Sequence, residues 1–150
     1  MEDMTKKIAI YGAGGFGREV AWLAESCDGP YEVVCFVDDD PAITGKEING
    51  IPVLSPEGLK QKYPGISVVA AIGAPSVRQA VMEKMAANGF HSADLIYPRT
   101  EKSRWVDMDE GMVIWAGCIL TTNIQIGRKI RAAGYQVYRI TRKTTVSASK

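Results

Sequence analysis

The chain has 150 residues, 46% of them hydrophobic and 23% charged, with a formal net charge of +1. These values fit one globular domain, or one domain with a fragment of another, and leave enough apolar material for a core. No apolar run nears the roughly 18 residues of a membrane span, and three cysteines without a C-x-x-C pair beside a single histidine argue against a disulfide framework or a zinc site.

The N-terminal "MEDMTKKIAIYG" places two lysines before an apolar run, but that run meets glycine within a few residues and has no small-residue cleavage site. It is read as the first strand of a cytoplasmic protein. "KIAIYG" at 7–12 has the pattern of a buried parallel strand. "GREVAWLAESC" then sets Val20, Leu23, Ala24 and Cys27 on one helical face. "YEVVCFVDDD" at 31–40 predicts a second strand with carboxylates at its C-terminal end. Asn49-Gly50 predicts a turn, and Ser55-Pro56-Glu57 a helix start. "ISVVAAIG" at 66–73 predicts another strand ending in glycine. "APSVRQAVMEKMAANG" predicts a helix with Val77, Val81 and Met85 inward and Gly89 as its stop, and "ADLIYP" a last short strand. Strands alternating with helices predict an α/β fold with a doubly wound parallel sheet.

From about Arg104 the period changes. Met108, Ile114, Leu120 and Ile126 fall six apart, with Val113 and Ile119 beside them. Neither a helix nor an alternating strand has that period, whereas the hexapeptide turns of a parallel β-helix do. Residues 128–150 then hold seven of the 18 Lys and Arg and none of the 17 acids, leaving 11 bases against 17 acids in 1–127. The chain therefore divides into 1–100, 101–127 and a basic tail of 128–150.

Gly12, Gly14 and Gly17 form G-x-G-x-x-G between a predicted strand and a predicted helix. The first glycine permits a tight turn, the second removes a Cβ that would block a phosphate, and the third lets helix and strand pack closely. Amides at such a helix start favour an anion. Asp38 is placed to reach a ribose hydroxyl, and Gly73 to line the same crevice beyond the strand ends. His91, in "NGFHSADL", reads as an exposed or structural residue.

"IAIYGAGGFGREVAWL", "VVCFVDDDPAITGKEINGIPVL", "VVAAIGAPSVRQ" and the "IYP" before the six-residue period resemble the bacterial sugar O-/N-acetyltransferases of the sialic acid O-acetyltransferase type, over roughly Lys7 to Gly127. The resemblance implies a Rossmann-like domain that binds a nucleotide sugar, here a UDP-sugar, followed by a left-handed β-helix. It further implies a homotrimer with acetyl-CoA as co-substrate, and no metal. Carried over, Gly12, Gly14, Gly15 and Gly17 match the loop that meets the sugar nucleotide, with Phe16 replacing that loop's usual histidine. Asp38 and Asp39 match the acidic strand end near the nucleoside, and Gly73 the glycine of the third strand. Tyr97 replaces a histidine often seen before the proline.

In that family, later hexapeptides supply a histidine base and the coils that hold acetyl-CoA. This chain has no histidine after His91, and its six-residue series continues as Ala132, Tyr138 and Thr144. The β-helix is therefore expected to be incomplete and the catalytic residues are unassigned. The tail is read as a replaced C-terminus, for instance by a changed reading frame, with little to bury and an exposed apolar edge at Ile114, Leu120 and Ile126. Two alternatives remain: a small NAD(P)-binding oxidoreductase domain, and a non-enzymatic nucleotide-binding module. A sparse tail with only Tyr135 and Tyr138 for stacking weighs against nucleic acid as a partner.

Overall fold

The computed structural model describes residues 5–26, 31–97, 101–108, 112–114, 119–120, 124–126, 135–137 and 145–146. Cys27, Cys118, Gly127 and the seven basic residues of 128–150 lie outside them.

The first unit is a six-stranded sheet of β1 (Lys6–Tyr11), β2 (Tyr31–Val37), β3 (Glu47–Ile48), β4 (Ile51–Leu54), β5 (Ser67–Ala70) and β6 (His91–Ser92), in the order β3-β4-β2-β1-β5-β6. Every pairing is parallel except β3 with β4. That hairpin turns at Asn49 and Gly50, with φ of 52° and 78°, the double positive φ of a tight type I′ turn. The parallel strands run outward in both directions from β1, and the order reverses between β1 and β5, the position at which doubly wound sheets bind ligands. The predicted α/β class with a Rossmann-like parallel sheet is borne out.

Helix α1 (Gly15–Ser26) covers one face with Val20, Leu23 and Ala24 fully buried against Ile8, Ile10 and Phe36. The opposite face carries Ala9, Tyr11, Cys35 and Val37, packed with Leu59 of α2 (Pro56–Lys62) and Met85 of α3 (Pro75–Ala87). Ser55 caps α2 by accepting the Gly58 N–H at 3.0 Å, as the Ser-Pro-Glu start predicts. Burial pushes the Cys35 thiol up to about 11, against the lowering effect of Lys62, so it is an inert core thiol.

Of the residues expected inward on α3, Met85 is buried and Val81 packs against the core, while Val77 does not turn inward. Val77 is 50% exposed, and the buried positions are Arg78, Met82 and Met85. A helical period alone does not distinguish position 77 from position 78; tertiary contacts turned the cation inward.

The strand expected from "ADLIYP" does not complete this sheet. That place is taken by β6, while β7 (Leu95–Ile96) leaves it and pairs in parallel with β10 (Met112–Ile114). Two further parallel ladders join β8 (Glu101–Lys102) to β11 (Ile119–Leu120), and β9 (Val106–Met108) to β12 (Ile124–Ile126). All three share one offset along the chain, with Leu95 beside Val113, Glu101 beside Ile119 and Val106 beside Ile124. In each ladder the paired residues are 18 apart along the chain.

The tail contributes strands too. β13 (Tyr135–Val137) pairs with β10, placing Tyr135 beside Met112, and β14 (Thr145–Val146) pairs with β12, placing Thr145 beside Gln125. Both pairings reach further along the chain than three hexads, and by different amounts. The expectation of an exposed edge fails at Ile114, which is 0% exposed and lies on β10 between β7 and β13. Val113 and Leu95 join the same core cluster as α1 and Phe36, so the ladders start on the core of the first unit.

Candidate nucleotide site at the strand ends

The glycine loop is shaped by close backbone approaches. Gly12 has φ of 113°, donates its N–H to the Val37 carbonyl at 2.7 Å, and would place a Cβ 2.6 Å from the Ala71 carbonyl oxygen. A Cβ on Gly17 would overlap the Gly12 carbonyl oxygen. Both positions are thus closed to side chains by the fold itself. Gly14 and Gly15 are exposed, and a Cβ on Gly14 would meet nothing within 4 Å. The leading N–H groups of any helix lack an intrahelical acceptor, and here that turn begins at Gly15 with no acidic residue in it. The result is an anion-favouring amide cluster with open space above Gly14.

Phe16 packs against the core cluster, and so does Tyr97, whose N–H donates to the Ile114 carbonyl at 3.0 Å. Gly73 is exposed just beyond β5, across Gly12 from the acidic turn, with open space where its Cβ would be. His91 is exposed on β6, at the N-terminal end of the Ser67 pairing.

Asp38 has a role that its sequence position does not reveal. One carboxylate oxygen accepts the Ala13 N–H at 3.1 Å and the other the Asp40 N–H at 2.9 Å, tying the glycine loop to the acidic turn. An ionised carboxylate offers about four acceptor sites, so this leaves capacity for a ligand hydroxyl. Asp39 accepts the Tyr11 hydroxyl at 2.7 Å. Tyr11 is 3% exposed; burial, its bond to Asp39, and the charges of Asp39, Asp38 and Glu57 push its phenol well above the ordinary range. Sequence reasoning missed Tyr11, because a tyrosine at the end of "KIAIY" reads as one more strand residue.

The phenol's raised pKa has a consequence for stability. A group that binds its proton more tightly when folded contributes stability that is complete below its unfolded pKa, about 10 for tyrosine. That contribution declines as pH rises above it. Tyr11→Phe is therefore expected to cost about 1.5–3 kcal/mol near neutral pH, the range for a hydrogen bond to a charged group, and to flatten the alkaline decline. Chemical denaturation at pH 7 and at pH 11 reads both effects; equal stability of the two proteins at pH 7 would show that the bond contributes nothing.

A glycine turn at the switch point, a helix N-terminus over open space and an acidic strand end form one contiguous site. The PglD N-terminal domain family model matches residues 7–85, which carry all of it. The chain belongs to that family. Among solved structures, this PglD N-terminal domain protein is similar to the acetyltransferase domain of PglB from Neisseria gonorrhoeae FA1090 in complex with acetyl coenzyme A. They are 30% identical with a TM-score of 0.62, over 81% of this chain and 61% of that one. It also shares its fold with PerB from Caulobacter crescentus, in complex with CoA and GDP-perosamine, at 24% identity and a TM-score of 0.68, over 94% of this chain and 62% of that one. A curated relative is the redox-sensing transcriptional repressor Rex from Anoxybacillus flavithermus (strain DSM 21510 / WK1), 26% identical over 88 residues, 59% of this chain and 42% of Rex. The chain thus spans about three fifths of those solved structures and under half of the curated relative. The resemblance to sugar acetyltransferases with a Rossmann-like N-terminal domain is borne out. Among the described residues no group of three or more His, Cys, Asp or Glu could hold a metal, and no helix is long and apolar enough to cross a membrane.

Proposed function

We propose that this chain is the nucleotide-sugar-binding part of a cytoplasmic sugar acetyltransferase, holding a UDP-sugar at the glycine loop for acetyl transfer from acetyl-CoA. The observation that carries the reading is the open space over Gly14 at the start of α1, beside a loop that Asp38 fastens to the acidic turn. The pyrophosphate lies on the amides near Gly14 and Gly15, the nucleoside extends toward Asp38 and Asp39, and Gly73 closes the far side. PglB's complex with acetyl coenzyme A and PerB's with CoA and GDP-perosamine support the two ligand classes. PerB's nucleotide sugar carries guanine, so the titration below sets GDP-sugars beside UDP-sugars.

Residues 1–100 are the nucleotide-sugar unit and 101–127 the start of a left-handed hexapeptide β-helix, a reading that the shared three-hexad offset supports. The departure of β13 and β14 from that offset supports a distinct tail over 128–150. A homotrimer belongs to the same proposal.

Calorimetric titration with UDP-sugars, GDP-sugars, acetyl-CoA and NAD tests the reading. Saturable binding of a nucleotide sugar is expected, and Gly14→Val is expected to weaken it at least tenfold, about 1.4 kcal/mol. Apart from its chain neighbours nothing lies within 4 Å of that Cβ, so the folded variant isolates the phosphate approach. Unchanged affinity would remove the site assignment, and saturable NAD binding without nucleotide-sugar binding would replace the reading with an NAD(P)-binding oxidoreductase domain.

In the transfer itself, the sugar's amine or hydroxyl attacks the thioester with help from a base, which typically contributes about 10² to 10⁴ in rate. His91, the one histidine, is exposed on β6 away from the glycine loop, and none of the 150 residues is assigned as that base. With these residues alone, CoA release in the presence of UDP-amino sugars is expected to stay at background; turnover of about 1 s⁻¹ or more would overturn this.

A further inference from the structure

We infer that Arg78 is a positioning residue for the phosphate end of the nucleotide-sugar site, an inference that rests on the binding reading above. Arg78 is 6% exposed, on the inward face of α3, and is the buried charged side chain among the described residues. Burying a guanidinium is costly unless its N–H groups are hydrogen-bonded, and a leucine or methionine would fill the same helical position without that cost. Here Nη1 donates to the Ile72 carbonyl oxygen at 3.0 Å.

That carbonyl belongs to the short stretch 71–74 joining β5 to α3, which is also the far wall of the glycine loop. The Ala71 N–H donates to the Tyr11 carbonyl at 2.8 Å. The Ala71 carbonyl oxygen and Ile72 Cγ1 stand 2.6 and 3.7 Å from where a Gly12 Cβ would be. Gly12 takes its positive φ against this wall, and Gly73 is the next residue after the carbonyl that Arg78 holds. Ala74, at the start of α3, makes no side-chain cap bond. Arg78, one turn along the helix, therefore secures the stretch from beneath. An arginine at this position serves the crevice: its fork reaches a main-chain oxygen to which an apolar side chain could donate nothing.

Arg78→Met keeps the stem and removes the donors, while Arg78→Lys keeps the charge and one donor group. Two readouts on the full chain separate positioning from simple stabilisation. The first is nucleotide-sugar affinity well below the unfolding temperature, using UDP-sugar and GDP-sugar probes. The second, which needs no ligand, is amide hydrogen exchange at Ala71 compared with Val20 and Leu23 in α1. Arg78→Met is expected to weaken binding at least tenfold and to speed exchange at Ala71 at least tenfold while leaving α1 unchanged, with partial rescue in Arg78→Lys. Wild-type binding retained in full by Arg78→Met would overturn the inference, as would unchanged exchange at Ala71 or exchange raised equally throughout. If the wild-type chain binds no nucleotide sugar while Ala71 exchange responds as expected, the binding reading falls and the hold of Arg78 on the crevice wall stands. Should Arg78→Met fail to fold, Arg78→Lys carries both readouts: it is expected to show the same two effects at reduced size, and wild-type values in both would overturn the inference.

Discussion

Phe36→Ala is expected to destabilise the protein by about 3–5 kcal/mol, the range for truncating a fully buried phenylalanine. Phe36 is 0% exposed and heads the largest fully buried side chains, in β2 beneath α1. The loss combines the transfer free energy of the ring with the cavity it leaves. α1 cannot close that cavity freely, because Val20, Leu23 and Ala24 are already packed on the same cluster. A domain of ordinary stability has about 5–15 kcal/mol in all, so the variant is expected to lose a large fraction of it. Phe36→Leu, which retains most of the volume, is expected to cost far less. Urea denaturation followed by circular dichroism measures both, and equal stabilities for the two variants would contradict the described packing.

Gly17→Ala is expected to cost about 3 kcal/mol, the upper end for overpacking, and to abolish nucleotide-sugar binding. The added Cβ would overlap the Gly12 carbonyl oxygen, approach the Gly12 carbonyl carbon to 3.0 Å and lie 3.6 Å from Phe36 Cε1. Side-chain collisions are relieved by rotation, but this one is with backbone, so α1 or the glycine loop must shift. Either shift moves the amides that face the open space over Gly14. Gly14→Ala provides the contrast, because nothing lies within 4 Å of its Cβ; its melting temperature is expected to stay close to that of the unsubstituted chain. Thermal unfolding of the pair, with binding measured on whatever remains folded, checks the expectation. A Gly17→Ala protein as stable as Gly14→Ala would mean that helix and loop do not meet as described.

The two substitutions act on one region, since a Cβ on Gly17 would meet both the Gly12 carbonyl and the Phe36 ring.

The amino-acid sequence alone determined what short-range patterns encode. The helical face of α1, the Asn49-Gly50 turn and the Ser55 cap depend on neighbours within a few residues, so their signals are local and were legible. Tertiary structure alone decided the partners of the polar groups. Tyr11 and Asp39 are separated by 28 residues, and Asp38 by 25 from the Ala13 amide it accepts; no window of sequence contains such pairs. The inward turn of Arg78 on α3 was also settled at long range, since a helical period alone does not distinguish position 77 from position 78. The departure of β7 from the main sheet belongs to the same class. A strand of two residues carries no period of its own, and its place was fixed by the partners that cover Leu95 and Ile114.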